Sequence, residues 1–278
     1  MTKGMRELVL GGDGLIGSTL VEMLRARGGE VRSLDLKSGF DLRAPFDRKP
    51  FEECDRVWFL AWDTGGAKYI EAGDQQLAQY KNNCEISLYT FEAIAHARKP
   101  FLFATSQLAG LPNAYGVTKL MSEKWAAQLG GKIARLWNTY GWEEPDVKSH
   151  VVTDLVLSGL TEGRISCMTD GREHRRFIYK SDCAAALVEL FDGERRTADI
   201  AGPKWLTIRE VAGEIARQLN VETVAFGELK GSEVIVDPDN LLPGWQPAVT
   251  FADGIARVVA DARAFLRARP ASASGQQA

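Results

Sequence analysis

The stretch ELVLGGDGLIG, residues 7–17, decides the fold of this chain. An apolar run at residues 8–10 leads into Gly11, Gly14 and Gly17, and a helical pattern follows over residues 15–24. Glycines let such a turn approach a phosphate group, whose charge is met by free N–H groups at the positive end of the helix. The stretch predicts a strand, a tight turn and a helix start that binds a phosphate-bearing ligand. On the glycines alone, a plain tight turn is an equal alternative.

A second strand-like segment adds an acidic side chain to this pattern. Residues 30–36, EVRSLDL, contain Asp35, which lies 18 residues beyond Gly17. This is near the spacing at which a carboxylate accepts hydrogen bonds from an adenosine ribose. A carboxylate there repels a 2′-phosphate and so favours NAD, although Arg32 and Lys37 weaken that repulsion and keep NADP possible. A solvated strand end is the plainer interpretation of Asp35.

Size and composition limit the class of protein. The chain has 278 residues, 45% of them hydrophobic, which suits one large domain or two closely joined ones. A net charge of -3 argues against nucleic acid or an anionic membrane as the main partner. No apolar run approaches the roughly 20 residues of a membrane span, and the chain opens on a strand and turn instead of a signal peptide, so we expect a cytoplasmic protein.

The cysteines have no paired spacing, which argues against a disulfide framework and against a zinc site or other metal. We expect all four to be small buried residues: Cys54, Cys84, Cys167 and Cys183.

Apolar strands and helical patterns alternate along the chain. Residues 56–61 and 100–104 are continuous apolar runs, typical of parallel strands covered on both faces. Between them, residues 74–97 show a helical pattern. Its expected inner face is Leu77, Tyr80, Cys84, Ser87, Leu88, Phe91 and Ile94. The alternation predicts a doubly wound parallel sheet with helices on both sides and with ligands at the carboxyl ends of the strands.

A hydroxyl and a tyrosine–lysine pair follow the strand at residues 100–104. Ser106 comes just after that strand, and Tyr115 and Lys119 are four residues apart, so they share one face of a helix. An ammonium group beside a phenol stabilises the phenolate. For Tyr115 to act as a base near neutral pH, its pKa must fall by roughly three units from about 10. Alone, such a pair is more often structural than catalytic.

Seven motifs in order make the chain resemble the extended short-chain dehydrogenase/reductase family of nucleotide-sugar epimerases, dehydratases and ketoreductases. They are GGDGLIG, Asp35, FLAWDTGG, FATS, YGVTK, RLWNTYG and RRFIYKSDCA. The resemblance implies an α/β fold of Rossmann type. It places an NAD-binding domain at residues 1–140, with a return segment near 177–202, and a smaller mixed α/β substrate lobe at 141–267.

The resemblance also implies roles for individual residues. Ser106 and Tyr115 would contact the sugar oxygen that is oxidised or reduced, with Tyr115 moving the proton, and Lys119 would hold the nicotinamide ribose and lower the pKa of Tyr115. The implied cofactor-binding set is Gly11, Gly14, Leu15, Ile16, Gly17, Asp35, Asp41, Leu60, Ala61, Asn83, Thr105, Tyr115 and Lys119. Within this set, Asp41 would contact the adenine. Asn82 fits the role of the cofactor-cleft asparagine almost as well as Asn83, but the helix register with Asn83 in the cleft keeps Cys84 on the inner face.

The implied substrate-binding residues are Trp62, Ser106, Asn138 and Arg175. Arg175 resembles the family's arginine for a substrate diphosphate. The next residue, however, is Arg176, where an Asp is usual, so a solvated basic patch is the alternative.

Two segments look most like the GDP-fucose synthase branch of the family: TGGAKYI and NTYGWEEPDVKSHVVTDLV. In that branch the histidine of SHV, here His150, is a catalytic acid, and its titration range suits such a role. A helix-start residue packed by a neighbour is the equal alternative. Leu108 stands where that branch has its second epimerisation residue, a cysteine, and this weakens a two-centre epimerase. Gln107 and Leu108 also stand where the dehydratases have an Asp and Glu pair, so dehydration ranks last.

The resemblance therefore implies an NAD-dependent epimerase that acts on a nucleotide-diphosphate sugar through transient hydride transfer. An NAD(P)H-dependent reductase of nucleotide-4-keto-sugars is the alternative, and a non-catalytic dinucleotide sensor ranks below both. Family members commonly form homodimers through the helix around Asn83 and the helix after Tyr115. The candidates for that contact are Tyr89, Trp125 and Leu129.

In the second lobe we expect helices at residues 149–163, 208–219 and 251–267. Strands are expected at 165–168, 177–179, 198–202 and 234–236, with the segment at 177–179 returning to the main sheet. The tail at 268–278, rich in Ala, Ser, Gly and Gln, is expected to be disordered.

Overall fold

A six-stranded parallel sheet forms the centre of the computed structural model, which describes residues 4–231 and 236–268. The strands in chain order are β1 (Arg6–Leu10), β2 (Glu30–Leu34), β3 (Arg56–Phe59), β4 (Phe101–Ser106), β5 (Lys132–Leu136), β6 (Asn138–Tyr140), β7 (Ile165–Thr169), β8 (His174–Arg175), β9 (Phe177–Tyr179), β10 (Thr197–Ile200), β11 (Leu206–Thr207) and β12 (Val224–Leu229). The main sheet has the order β10-β5-β4-β3-β1-β2. The predicted parallel, doubly wound sheet is confirmed.

The α-helices within the described residues are α1 (Leu15–Ala26), α2 (Lys49–Glu53), α3 (Ala67–Ile70), α4 (Gln76–Ala97), α5 (Ala114–Gln128), α6 (Val151–Glu162), α7 (Lys180–Asp192), α8 (Ile208–Leu219) and α9 (Phe251–Ala268). Helix α8 has the predicted bounds because Thr207 and Glu210 form a capping box at its start. None of the helices in these described parts of the chain has the length and apolarity that a membrane crossing requires.

The two faces of the main sheet are covered by different helices. Because successive side chains of a strand point to opposite faces, Val9 packs with α1 and α7, while Leu8 and Leu10 pack with α4 and α5. Phe59, Phe91 and the neighbouring aromatic rings fill the second interface.

The chain changes direction within the sheet at β1. From β1 it runs outward to β2 at one edge, and it then crosses to β3 on the other side of β1. Ligands of open α/β sheets bind at the carboxyl ends of the strands that flank such a reversal. The fold therefore places the glycine turn after β1 and the segment after β3 at one shared site.

A second apolar core lies outside the main sheet. Helices α6, α8 and α9 pack together around β7 and β9, and residues such as Val156, Ile215 and Val258 are fully buried there. Strand β9 occupies the predicted residues, but it pairs with β6 in a separate two-stranded sheet. Residues 177–179 therefore do not return to the main sheet as expected, but β10, which also lies in the expected return segment 177–202, joins the edge of that sheet beside β5.

The predicted inner face of α4 is partly wrong. Ser87, Phe91 and Ile94 are buried as expected, but Leu77 is 82% exposed and Leu88 is 41% exposed. The physical reason is that polar residues of the inner face find partners: the hydroxyl of Ser87, for example, lies 2.7 Å from that of Ser122 on α5. Burial of polar side chains costs little when they are hydrogen-bonded.

The prediction that all four cysteines are buried is also partly wrong, because Cys84 lies on the outer side of α4. Cys54, Cys167 and Cys183 are buried, whereas Cys84 is exposed. Strand β12 was not expected from the sequence. Most of the predicted strand at residues 234–236 and most of the predicted disordered tail at residues 268–278 lie outside the described residues.

Candidate active site

A cavity of about 1320 Å³ opens at the carboxyl ends of β1, β3 and β4 and extends into the second lobe. It brings together residues that are far apart in the chain. The sequence-predicted site residues that line it are Gly11, Gly14, Leu15, Ile16, Gly17, Asp35, Asp41, Leu60, Ala61, Trp62, Thr105, Ser106, Tyr115, Lys119, Asn138, His150 and Arg175.

The glycine turn between β1 and α1 is closed by two tight contacts. Gly11 has a φ of +84°, and a Cβ atom there would lie 2.6 Å from the backbone nitrogen of Ala61. A Cβ on Gly17 would lie 2.0 Å from the carbonyl oxygen of Gly11. Any other residue would therefore force the turn apart, and the first-turn N–H groups of α1, which lack partners within the helix, line the cavity.

Two carboxylates stand near the end of β2. The Asp35 carboxylate accepts the N–H of Asp13 at 3.0 Å and that of Lys37 at 2.9 Å, one on each oxygen. Asp41 pairs with Arg43 through two hydrogen bonds of 2.8 Å, and the hydrogen bond from Arg43 lowers the pKa of Asp41. Arg43 also lines the cavity, although no sequence motif points to it.

Tyr115 meets two hydroxyl side chains inside the cavity. Burial of its phenol raises the pKa of Tyr115, and hydrogen bonds with the hydroxyls of Ser106 and Thr64 oppose that rise. Ser106 is fixed in turn, because its Oγ accepts the N–H of Leu108 at 3.1 Å. Thr64 was absent from the predicted site residues, although it lies in the motif FLAWDTGG directly before its two glycines.

Lys119 is 4% exposed. Its Nζ donates a hydrogen bond to the carbonyl oxygen of Ala104 at 2.7 Å and lies 4.0 Å from the ring centre of Trp62 and 5.9 Å from that of Tyr115. Burial lowers the pKa of Lys119 well below its ordinary value. Lys119 thus lies beside Tyr115 in an aromatic enclosure that disfavours its own charge.

The segment after β3 is held by the carboxylate of Asp63. One Asp63 oxygen accepts hydrogen bonds from Lys148 at 2.6 Å and from Tyr69 at 2.8 Å, and the other accepts one from Asn82 at 2.8 Å. The amide of Asn83 bonds instead to the backbone N–H and carbonyl of Asp63. The expectation for the two asparagines is therefore reversed: Asn83 is fully buried behind the wall, and Asn82 lines the cavity.

The substrate side of the cavity contains amide and guanidinium groups. The Nε2 of Gln107 donates to the Oδ1 of Asn138 at 3.1 Å. Arg175 lines the cavity, and one of its nitrogens donates to the carbonyl of His174. Arg176 instead bonds to the carbonyls of Gly202 and Pro203, away from the cavity.

His150 is the residue that precedes α6, and its ring contacts a carboxylate. The Nδ1 atom lies 2.9 Å and 3.1 Å from the two carboxylate oxygens of Glu143. Glu143 was absent from the predicted site residues, because the sequence does not show that the loop after β6 folds back on residue 150.

The fold and this cavity define a dinucleotide-dependent enzyme of the Rossmann class. The sequence model of the NAD-dependent epimerase/dehydratase family matches residues 7–199. The chain therefore belongs to this family, and the family resemblance seen in the motifs is confirmed.

A curated relative is UDP-glucuronic acid decarboxylase 2 of Arabidopsis thaliana, which is 26% identical over 310 residues, covering 94% of this chain and 69% of the relative. Among solved structures, UDP-glucuronic acid 4-epimerase of Bacillus cereus, in complex with a UDP-sugar and NAD, has a TM-score of 0.80 at 20% identity and covers 94% of this chain and 100% of its own. UDP-glucose 4-epimerase of Thermus thermophilus, with NAD, has a TM-score of 0.73 at 22% identity, with coverage of 93% and 99%. These structures share the fold of this chain.

The residues present fit NAD. The glycine turn admits no side chain at Gly11 or Gly17 and offers free N–H groups at the start of α1 to a diphosphate. Further along the cavity, the indole nitrogen of Trp62 and the hydroxyl of Thr105 are buried without a hydrogen-bond partner among the described residues. Such groups call for a polar ligand, because unpaired buried polar groups are costly.

Proposed function

We propose that this protein is an NAD-dependent nucleotide-sugar epimerase that acts by transient oxidation of a sugar carbon that carries a hydroxyl. The observation that supports this most directly is that the Tyr115 phenol shares one cavity with the hydroxyls of Ser106 and Thr64, the buried Lys119 and the glycine turn. A dinucleotide sensor has no need for such a hydroxyl network beside a buried lysine.

Each residue of this network has a proposed task. Ser106 and Thr64 would bind the reacting sugar hydroxyl, and Tyr115 would take its proton and later return it. Bound NAD supplies the group that accepts and returns the hydrogen of the sugar carbon. The glycine turn would hold its diphosphate, Asp35 the adenosine ribose, Asp41 the adenine and Lys119 the nicotinamide ribose. His150 would be a second acid or base, and Arg175 would bind the diphosphate of the substrate.

Asp35 supports the epimerase over the reductase of 4-keto-sugars. Both of its carboxylate oxygens accept backbone N–H groups, so the negative charge is fixed at the edge of the cavity. A fixed carboxylate opposes the 2′-phosphate of NADP, and an epimerase that returns the hydrogen to its substrate works with tightly held NAD.

Decarboxylation of a UDP-hexuronic acid is a second candidate function, because six curated relatives are named UDP-glucuronic acid decarboxylases. It would begin with the same oxidation, since a carboxylate positioned β to a ketone readily loses carbon dioxide. The product separates the two candidates.

The test uses the purified protein without added cofactor. Nucleotide released by denaturation is quantified, and the native protein is incubated separately with UDP-glucose, UDP-glucuronic acid, GDP-mannose and dTDP-glucose, with products identified by mass spectrometry and NMR. We expect stoichiometric NAD and an isomer of one substrate. Loss of carbon dioxide would support the decarboxylase, and a strict need for added NADH or NADPH with a keto-sugar would contradict the epimerase in favour of the reductase.

A further inference from the structure

Glu143 and His150 form a pair at the wall of the cavity. Glu143 lies in the loop between β6 and α6, and both residues line the cavity. One carboxylate oxygen accepts the backbone N–H of His150 at 2.6 Å and also lies 2.9 Å from its Nδ1. The carboxylate therefore holds both the backbone and the ring of His150.

This contact determines which ring nitrogen carries the proton. An ionised carboxylate only accepts hydrogen bonds, so the Nδ1 of His150 must be the donor. In the neutral imidazole the Nε2 atom is then unprotonated and can accept a proton. Within the described part of the chain, Nε2 has no hydrogen-bond partner, and the side chain of His150 is 38% exposed.

The pair is separate from the tyrosine network. The hydroxyls of Ser106 and Thr64 oppose the rise in the pKa of the Tyr115 phenol, and the Lys148 ammonium is bound to Asp63, not to Glu143. Among the described residues, the ring of His150 thus has its hydrogen-bond contacts with Glu143 alone. The cavity contains two distinct groups that can move protons.

We propose that Glu143 is a positioning residue that fixes the Nδ1–H tautomer of His150, so that Nε2 exchanges a proton with a sugar carbon next to the transient ketone. The ketone itself rests on the proposed function. In this step the C–H bond breaks, its electron pair passes into an enolate, and the proton binds Nε2. Its return restores the C–H bond and regenerates neutral His150.

The first test reads the tautomer without turnover. The chain has 3 histidines, so the ring ¹⁵N signals of His150 can be assigned by their loss in His150→Gln. We expect the Nδ1–H tautomer in the wild type and in Glu143→Gln, whose amide oxygen still accepts a hydrogen bond. Glu143→Met, which has no acceptor, should shift toward the Nε2–H form; a wild-type Nε2–H tautomer, or no shift in Glu143→Met, would overturn the proposal.

The second test follows deuterium from D₂O into the substrate. We expect incorporation next to the oxidised carbon, at a rate that falls roughly tenfold or more in Glu143→Met, toward the 10²- to 10⁴-fold effect of losing a general acid or base. Glu189→Met is the matched control, because Glu189 is exposed on α7 and does not line the cavity, and its exchange rate should stay unchanged. Exchange that is absent from an active wild type, or equal in the two variants, would refute the positioning role. If the wild type turns over no nucleotide sugar, the proposed function fails, and the tautomer spectra still decide the role of Glu143.

Discussion

Two opposing effects act on the phenol of Tyr115. Burial raises the pKa of Tyr115, while the hydroxyls of Ser106 and Thr64 lower it, and the rise prevails. The phenol is thus protonated at neutral pH in the protein alone. For Tyr115 to act as a base, positive charge must arrive beside it; the cationic nicotinamide of bound NAD would supply it, because burial disfavours the charged form of Lys119.

Replacement of Tyr115 by phenylalanine separates chemistry from binding. The ring and its packing remain, but the proton-transfer group is lost, so kcat should fall by about 10²- to 10⁴-fold while the Kd for NAD changes little. Steady-state kinetics and calorimetric NAD titration measure the two quantities. Tyr80→Phe, on the outer surface of α4, is the control. Retention of more than about a tenth of wild-type turnover would identify Tyr115 as a packing residue.

Lys119 should reduce the stability of the nucleotide-free protein. Burial lowers the pKa of Lys119 in the folded protein, so the unfolded chain binds this proton more tightly than the folded chain does. The contribution of Lys119 to the free energy of unfolding therefore rises with pH, up to the ordinary lysine pKa near 10.4. Lys119→Met should stabilise this form at pH 7 by about 1 kcal/mol or more and reduce that pH dependence, at the expense of NAD binding. Urea unfolding at several pH values tests this; stability equal to that of the exposed-site control Lys124→Met would be the contrary result.

At the level of elements, Asp63 connects the segment after β3 to three others. Its carboxylate bonds to Tyr69 of α3, Asn82 of α4 and Lys148 in the loop before α6. The side chain of Asp63 is 7% exposed. Burial opposes ionisation, but hydrogen bonds from Asn82, Lys148 and Tyr69 prevail and lower the pKa of Asp63. The position of Thr64, next in the chain, depends on this arrangement.

Asp63→Asn should therefore destabilise the protein at neutral pH by about 1–3 kcal/mol, because Lys148 loses its charged partner. A lowered carboxyl pKa contributes stability that is present above the unfolded pKa of about 3.9 and is lost as the pH falls through the folded pKa. The variant and the wild type should thus converge in acid. Chemical unfolding across pH measures this, with the exposed Asp74→Asn as control; a pH-independent difference would contradict the account.

The strands of the main sheet except β5 could be predicted because local patterns encode them, and nearly all the predicted site residues line the cavity. The apolar runs, the glycine spacing around Gly11 and the hydroxyl at Ser106 each lie within a few residues of the elements that position them. The inner face of α4 could not be predicted by hydrophobicity, because its buried positions are satisfied by distant polar partners: Asn83 by Asp63, and Ser87 by Ser122.

Side-chain contacts that no sequence motif encodes explain the other omissions. Glu143 enters the site only because its loop folds back on His150, and Arg43 is held there by a local pair with Asp41, two residues away in the chain. Tertiary contacts likewise decide that residues 177–179 pair with β6, since the local sequence of a short apolar strand suits either sheet.

For the whole molecule, the homodimer stays a prediction, and apolar residues exposed on α4 and α5 support it. They are Leu77, Tyr80, Leu88, Val117, Leu120 and Met121. Of the three residues expected at the contact, Trp125 and Leu129 pack against the apolar core instead. A second copy that pairs through these helices would cover this exposed apolar set. Large exposed apolar patches commonly mark contacts between protein chains.

Sedimentation should therefore give about twice the chain mass of 30.6 kDa at micromolar concentration. Leu120→Glu should shift the protein to monomer, because a charge would be buried at the contact, whereas Met5→Glu, at an exposed residue outside both helices, should not. A wild-type monomer would refute the dimer.

The claim on which the account depends is that one sugar carbon is oxidised and reduced again within the cavity. The direct measurement uses the identified substrate with deuterium on the carbon that bears the reacting hydroxyl, without added cofactor, and follows the label by NMR and mass spectrometry. We expect a product that keeps the deuterium on that same carbon, because the hydrogen is held by the bound cofactor and returned. Loss of the deuterium to solvent during turnover, or its appearance in free NADH, would contradict it.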